Sequence, residues 1–156
     1  MSLETKQSLE PSTIDKLQTL IRANIDSVNG FREAAKEVED EPVAQLFKSI
    51  AEERSNFAQE LQQHVEWNEE EASDDGSFAA KVHRAWLNVR NKLNGGNTHA
   101  VLSEAERGED HIKHAYEEVL KETAGSAMND VLQRQYARVK AGHDKVRDLR
   151  DATKSN

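Results

Sequence analysis

The sequence has no cysteine and only two prolines and seven glycines among its 156 residues. The lack of cysteine excludes disulfides, thiolate zinc sites and thiol chemistry, and it agrees with a reducing compartment. The scarcity of proline and glycine favours long, uninterrupted secondary structure elements. No apolar run reaches the length of a membrane span or of a signal-peptide core. We therefore expect a soluble, cytoplasmic protein with no membrane partner.

The sequence also lacks the excess of positive charge that binding to a polyanion would need. It has 29 acidic and 21 basic residues, and its formal net charge is −8. Phosphate backbones would be repelled on average, so we expect no nucleic-acid partner. The chain length suits one domain with a sizeable core.

Apolar residues recur at spacings of three and four along most of the chain, which is the pattern of amphipathic helices. The first helix has Ser12 or Thr13 as its expected N-cap. The pattern predicts four long helices and, third along the chain, one shorter helix. They begin near five breaks in the pattern: Pro11, Pro42, Gly76, the pair Gly95–Gly96, and Gly125.

The lengths of the links predict how these helices are arranged. Short links join the first two long helices and the last two, and each pair should form an antiparallel hairpin. A long connection that contains the short helix separates the two hairpins, which is typical of a ferritin-like four-helix bundle. We predict an all-α bundle domain over residues 12–151, with a flexible N-terminal tail at 1–11 and a C-terminal tail at 152–156.

The stretch LSEAERGEDHIKHAYEEVL (102–120) is dense in charge, but helical geometry turns most of that charge to solvent. Glu109 instead points toward the core, where an ionised carboxylate needs a partner. The forked guanidinium of Arg54, on the apolar face of the second helix, suits this role. The other inward polar residues are Asn24, Gln135 and, nearer the edge, His143. We predict an Arg54–Glu109 pair, with Asn24, Gln135 or His143 completing the network.

Carboxylate-bridged di-iron bundles take a Glu-x-x-His motif from each of two helices. This sequence has no such motif: the nearest match in the second helix is Glu53-x-x-Asn56, and Lys140 stands three residues before His143. We therefore predict no intact di-iron site and no resident cofactor. If iron, manganese or zinc does bind, Glu109 and His143 are the expected ligands.

Several stretches resemble a bacterial group of small ferritin-like proteins catalogued as a domain of unknown function. In order, they are NGFREAA (29–35), AEERSNFAQEL (51–61), GSFAAKVHRAW (76–86), ERGED (106–110) and AGHDKVRDLRD (141–151). The resemblance implies a ferritin-like bundle associated with bacterial stress responses, and it implies no particular reaction.

His83 and Trp86 fall on the matching motif of the predicted short helix. We expect Trp86 to anchor that helix by packing. We expect His83 to hydrogen-bond a backbone carbonyl or a carboxylate, with a ligand or proton-transfer role as the alternative.

Three classes of function follow from the sequence. The first is a ferritin-like bundle of the stress response, non-enzymatic or with a cryptic activity, that has an inward Arg/Glu polar network. The second is a metal-binding oxidoreductase or metal-storage protein with a rearranged site around Glu109 and His143. The third is an acidic protein–protein interaction module that presents its acidic surface, which includes the acidic run at 66–75, or an exposed apolar seam to a partner. A homo-oligomer remains open in all three.

Overall fold

The computed structural model describes residues 4–74 and 98–153. They form four α-helices: α1 (Pro11–Glu37), α2 (Glu41–Trp67), α3 (Thr98–Glu122) and α4 (Asn129–Ala152). Within these two ranges there is no β-strand, and Thr5 and Ser8 form an isolated bridge. The prediction of an all-α fold with four long helices is therefore confirmed.

Two further sequence predictions are the short helix between α2 and α3 and the lack of a membrane span. The predicted short helix, with His83 and Trp86, lies outside the described residues. Of the helices that the structure describes, none is both long enough and apolar enough to cross a bilayer.

Proline and aspartate determine where the first two helices begin. Pro11 and Pro42 occupy the first turns of α1 and α2, where a missing backbone N–H leaves no helical hydrogen bond unmade. Asp40 caps α2 by accepting a hydrogen bond from the backbone N–H of Val43.

The start of α1 differs from the sequence prediction. Glu10 is the N-cap, rather than Ser12 or Thr13, and its side chain makes no capping hydrogen bond. The hydroxyl of Thr13 instead donates to the carboxylate of Glu4 at 2.8 Å. Proline at the first helical position marks the start of α1, because its fixed φ suits the first turn and its missing N–H would be unpaired there anyway.

Residues 4–10 lie against the bundle. Leu9 joins the apolar core, and its backbone N–H donates to the side-chain oxygen of Asn68 at 2.8 Å. The carboxylate of Glu4 accepts a hydrogen bond from the hydroxyl of Ser126, in the link between α3 and α4. The sequence predicted a flexible tail at residues 1–11. Burial of Leu9 and these hydrogen bonds hold residues 4–10 of that segment against the bundle.

Each helix runs antiparallel to its neighbours. The links at 38–40 and 123–128 join α1 to α2 and α3 to α4, and α1 packs on α3 as α2 packs on α4. Lys16 near the start of α1 pairs with Glu122 at the end of α3 at 2.9 Å, so these two helices are antiparallel. The end of α2 and the start of α3 consequently lie at opposite ends of the bundle.

Two apolar clusters fill the interior, one in each half of the bundle. On α2, Arg54 lies between Ile50 of one cluster and Phe57 of the other. Glu109 meets Arg54 from α3 at the same level. A charged layer therefore separates the two halves of the core.

Candidate functional site

The charged layer is a bidentate ion pair. Arg54 and Glu109 have no exposed surface. Nη1 of Arg54 donates to Oε1 of Glu109 at 2.6 Å, and Nη2 donates to Oε2 at 2.8 Å. Burial lowers the pKa of Arg54, but the attraction and hydrogen bonds of Glu109 outweigh it and leave this pKa raised. The pairing predicted from the apolar faces is present, and the arginine stays charged.

Gly142 lets α4 approach this pair closely. A Cβ at this position would lie 2.9 Å from Nη2 of Arg54 and 3.1 Å from Oε2 of Glu109, tighter than ordinary van der Waals contact. Glycine is thus the residue that allows the backbone of α4 to cover the pair. Nε of Arg54 has no hydrogen-bond partner among the described residues, and a carboxylate oxygen of Glu53 is 3.9 Å away.

Asn24 and Gln135 are joined by Tyr116, a residue that the sequence analysis did not single out. The Tyr116 hydroxyl accepts a hydrogen bond from the amide of Asn24 at 2.9 Å and donates to Oε1 of Gln135 at 2.7 Å. The amide of Gln135 continues the chain to Glu60 at 2.8 Å. Burial raises the pKa of Tyr116 above its ordinary value, so its hydroxyl remains a donor.

The five predicted inward residues therefore fall into separate groups. Arg54 and Glu109 bind each other, while Asn24 and Gln135 bind Tyr116. The signal for Tyr116 was available in the sequence, because a tyrosine hydroxyl on a buried helix face needs a hydrogen-bond partner.

His143 lies in a third group, at the edge where α4 meets α3. Its Nε2 is 2.6 Å from Oδ1 of Asp110, and its Nδ1 is 3.1 Å from Oδ1 of Asp144. Glu106 lies one turn before Asp110 and contacts Arg150 of α4. One donor atom each from Glu106, Asp110 and His143 lie within 4.8 Å of one another, and all three residues are partly buried.

The sequence predicted Glu109 as the carboxylate that would bind a metal ion together with His143, but the structure places other carboxylates beside this histidine. Both oxygens of Glu109 accept hydrogen bonds from Arg54, and the neighbours of His143 are Asp110 and Glu106. The apolar stripe of α3 by itself predicts that most charged side chains of residues 102–120 face solvent, and it gives no sign of this contact of Asp110. The packing of α4 against α3 brings His143 to it.

The centre of this bundle does not fit a dinuclear carboxylate site. Such a site takes a glutamate from each of two helices and a Glu-x-x-His pair from each of the other two. Here the arginine of α2 puts a permanent positive charge at the centre and engages both oxygens of the α3 glutamate. Two metal cations at this position would be repelled by the guanidinium.

Comparison with known proteins places the chain in a family. A family model described as "Domain of unknown function (DUF2383)" matches residues 12–122, a range that contains Arg54, Glu109, Glu106 and Asp110. No curated protein matches the sequence. Because the family model covers more than half of the chain, this protein belongs to the DUF2383 family.

Proposed function

We propose that this protein is a ferritin-like bundle of the bacterial stress response that functions without a dinuclear metal centre in its core. Two antiparallel hairpins, with the end of α2 and the start of α3 at opposite ends of the bundle, support the ferritin-like architecture. The link to stress rests on the resemblance of its motifs to small ferritin-like bacterial proteins.

The Arg54–Glu109 pair is the observation that carries this proposal. The metal ligands of bundle enzymes are inward carboxylates that remain free to coordinate. Here the inward carboxylate of α3 is held at both oxygens by a guanidinium with no exposed surface. The pair acts as a structural device: it sets the register of α2 against α3, a role attested for buried polar groups in other bundles.

Because Arg54 engages the buried carboxylate of α3, we assign the activity to the surface of the bundle. With 29 acidic and 21 basic residues, the surface favours a basic partner and disfavours an acidic one. In this proposal the bundle is a non-enzymatic interaction protein with a rigid, internally paired core.

Iron binding and oxidation test the proposal directly. Untagged protein is dialysed against EDTA and mixed in air with two equivalents of Fe(II) per chain. The absorbance of Fe(III) is then followed, and the iron that remains after gel filtration is measured. We expect oxidation at the rate of buffer alone and no retained pair of irons, because the one buried carboxylate in the described part of the chain is held by the guanidinium.

Two retained irons per chain that are lost in Glu109→Ala would overturn the proposal. Glu118→Ala is the matched control, since this glutamate lies on the same helix but is exposed and pairs with Lys121. Far-UV circular dichroism of both variants separates loss of a ligand from loss of the fold.

A further inference from the structure

Glu106, Asp110 and His143 form a group of mixed donors at the α3–α4 edge, outside the central pair. Glu106 and Asp110 are four residues apart on α3, so their side chains share one face of that helix. His143 reaches the same face from α4. The donors come from two packed helices rather than from loops, which holds their positions well.

Two carboxylates and one imidazole are a donor set suited to a first-row divalent metal ion. Zinc binds histidine nitrogen and carboxylate oxygen at roughly 2.0–2.2 Å and often keeps a water as its fourth ligand. Tetrahedral bonds of that length put donor atoms about 3.4 Å apart. In the structure Nε2 of His143 is 2.6 Å from Asp110, and the whole group lies within 4.8 Å, so small side-chain rotations reach this geometry.

The second nitrogen of His143 has the partner that a metal-binding histidine usually has. Its Nδ1 lies 3.1 Å from a carboxylate oxygen of Asp144. When Nδ1 carries the proton and donates a hydrogen bond to this carboxylate, the lone pair of Nε2 is left facing Asp110. Such an outer carboxylate fixes the tautomer and the orientation of a ligating imidazole.

Glu106 supplies a separate observation. One of its oxygens is bound by Arg150. Its other oxygen, Oε2, is shielded from solvent and has no hydrogen-bond partner among the described residues. A shielded carboxylate oxygen without a partner is unfavourable, and a cation coordinated by Oε2 would satisfy it. With Arg150 counted and a neutral imidazole, the group has a net charge of −1.

From these contacts we infer that Glu106, Asp110 and His143 bind one divalent first-row transition metal ion, with zinc as the best match, at the α3–α4 edge. This site is separate from the core and takes one ion per chain. It neither needs nor disturbs the Arg54–Glu109 pair, whose carboxylate oxygens are already engaged.

Zinc titration calorimetry on the full chain, stripped with EDTA and dialysed, tests this site. We expect one zinc per chain. We expect the affinity to fall at least tenfold in His143→Ala and in Asp110→Asn. His114→Ala is the matched control, because this histidine of α3 is exposed and pairs only locally with Glu117; it should bind zinc as the parent chain does.

Cobalt(II) gives a second readout, because a four-coordinate site shows strong visible absorption that should disappear in the same two variants. Absence of zinc binding, or equal binding by the parent, His143→Ala and Asp110→Asn, would overturn the inference. Circular dichroism checks the fold, and the near-isosteric Asp110→Asn decides the matter if His143→Ala unfolds. A core metal centre would give a different result: two ions per chain, lost on Glu109→Ala.

Discussion

Two sets of charged side chains lie within four positions of each other on α3 but differ in what surrounds them. Glu109 is fully buried and held at both oxygens by Arg54. Glu106 and Asp110 lie on the flank, with 14% and 44% of their side chains exposed, and they face His143. Both oxygens of Glu109 already accept hydrogen bonds from a permanent cation that would repel an incoming metal ion, whereas the flank carboxylates can change partners. Burial and pairing, rather than residue type, decide which of these carboxylates is structural.

Removing the buried cation should have the largest effect. Arg54→Ala leaves Glu109 charged, buried and unpaired, and we expect a loss of roughly 3–5 kcal/mol in the free energy of unfolding. Urea denaturation followed by circular dichroism measures it. The double variant R54M/E109L should recover most of the loss, since apolar replacement of a whole buried pair is often neutral or better. Unchanged stability in Arg54→Ala would show that the pair is not part of the closed core.

Filling the space at Gly142 should have the next largest effect. Alanine there places a methyl group 2.9 Å from a guanidinium nitrogen that Glu109 holds in place. We expect a net loss of about 1–2 kcal/mol, because this overpacking outweighs the gain in helix propensity. Gly125→Ala is the control, since a Cβ there meets nothing within 4 Å. Equal denaturation midpoints for the two variants would contradict the close approach of α4.

The hydroxyl of Tyr116 allows a neutral buried group to be compared with the charged pair. Tyr116→Phe leaves Oε1 of Gln135 without the donor it now has at 2.7 Å. We expect a loss of about 1–2 kcal/mol at pH 8, smaller than for Arg54→Ala, because no charge is stranded. Thermal and urea unfolding measure it, and a loss as large as that of Arg54→Ala would remove the distinction between the two groups.

The raised pKa of Tyr116 also predicts a dependence on pH. An unfolded tyrosine ionises near pH 10, but burial raises the pKa of the folded residue above that value. The stabilisation is present below about pH 10 and is lost as the pH rises above it, by up to about 1.4 kcal/mol per pH unit. The advantage of the parent chain over Tyr116→Phe should therefore shrink between pH 9 and pH 11. An unchanged advantage would mean that the hydroxyl is not shielded from water.

Neutralising a flank carboxylate should have the smallest effect. In EDTA, Asp110→Asn should change the free energy of unfolding by no more than about 0.5 kcal/mol, because its partly exposed pair with His143 is screened by solvent. Glu109→Gln, the matched change at the core, should cost several times more. If both variants were equally destabilised, burial would not explain the difference between Glu109 and the flank carboxylates.

The sequence alone determined the four long helices, their pairing into hairpins, the absence of a Glu-x-x-His motif, and the need for a cation opposite Glu109. Periodicity and turn residues carry that information, because they set which side of each helix faces inward. The tertiary structure decided that Arg54 and Glu109 meet at mid-bundle, that Tyr116 joins Asn24 to Gln135, and that His143 faces Asp110. A helical repeat gives the direction around an axis, but only packing sets the level along it and the neighbour on its flank.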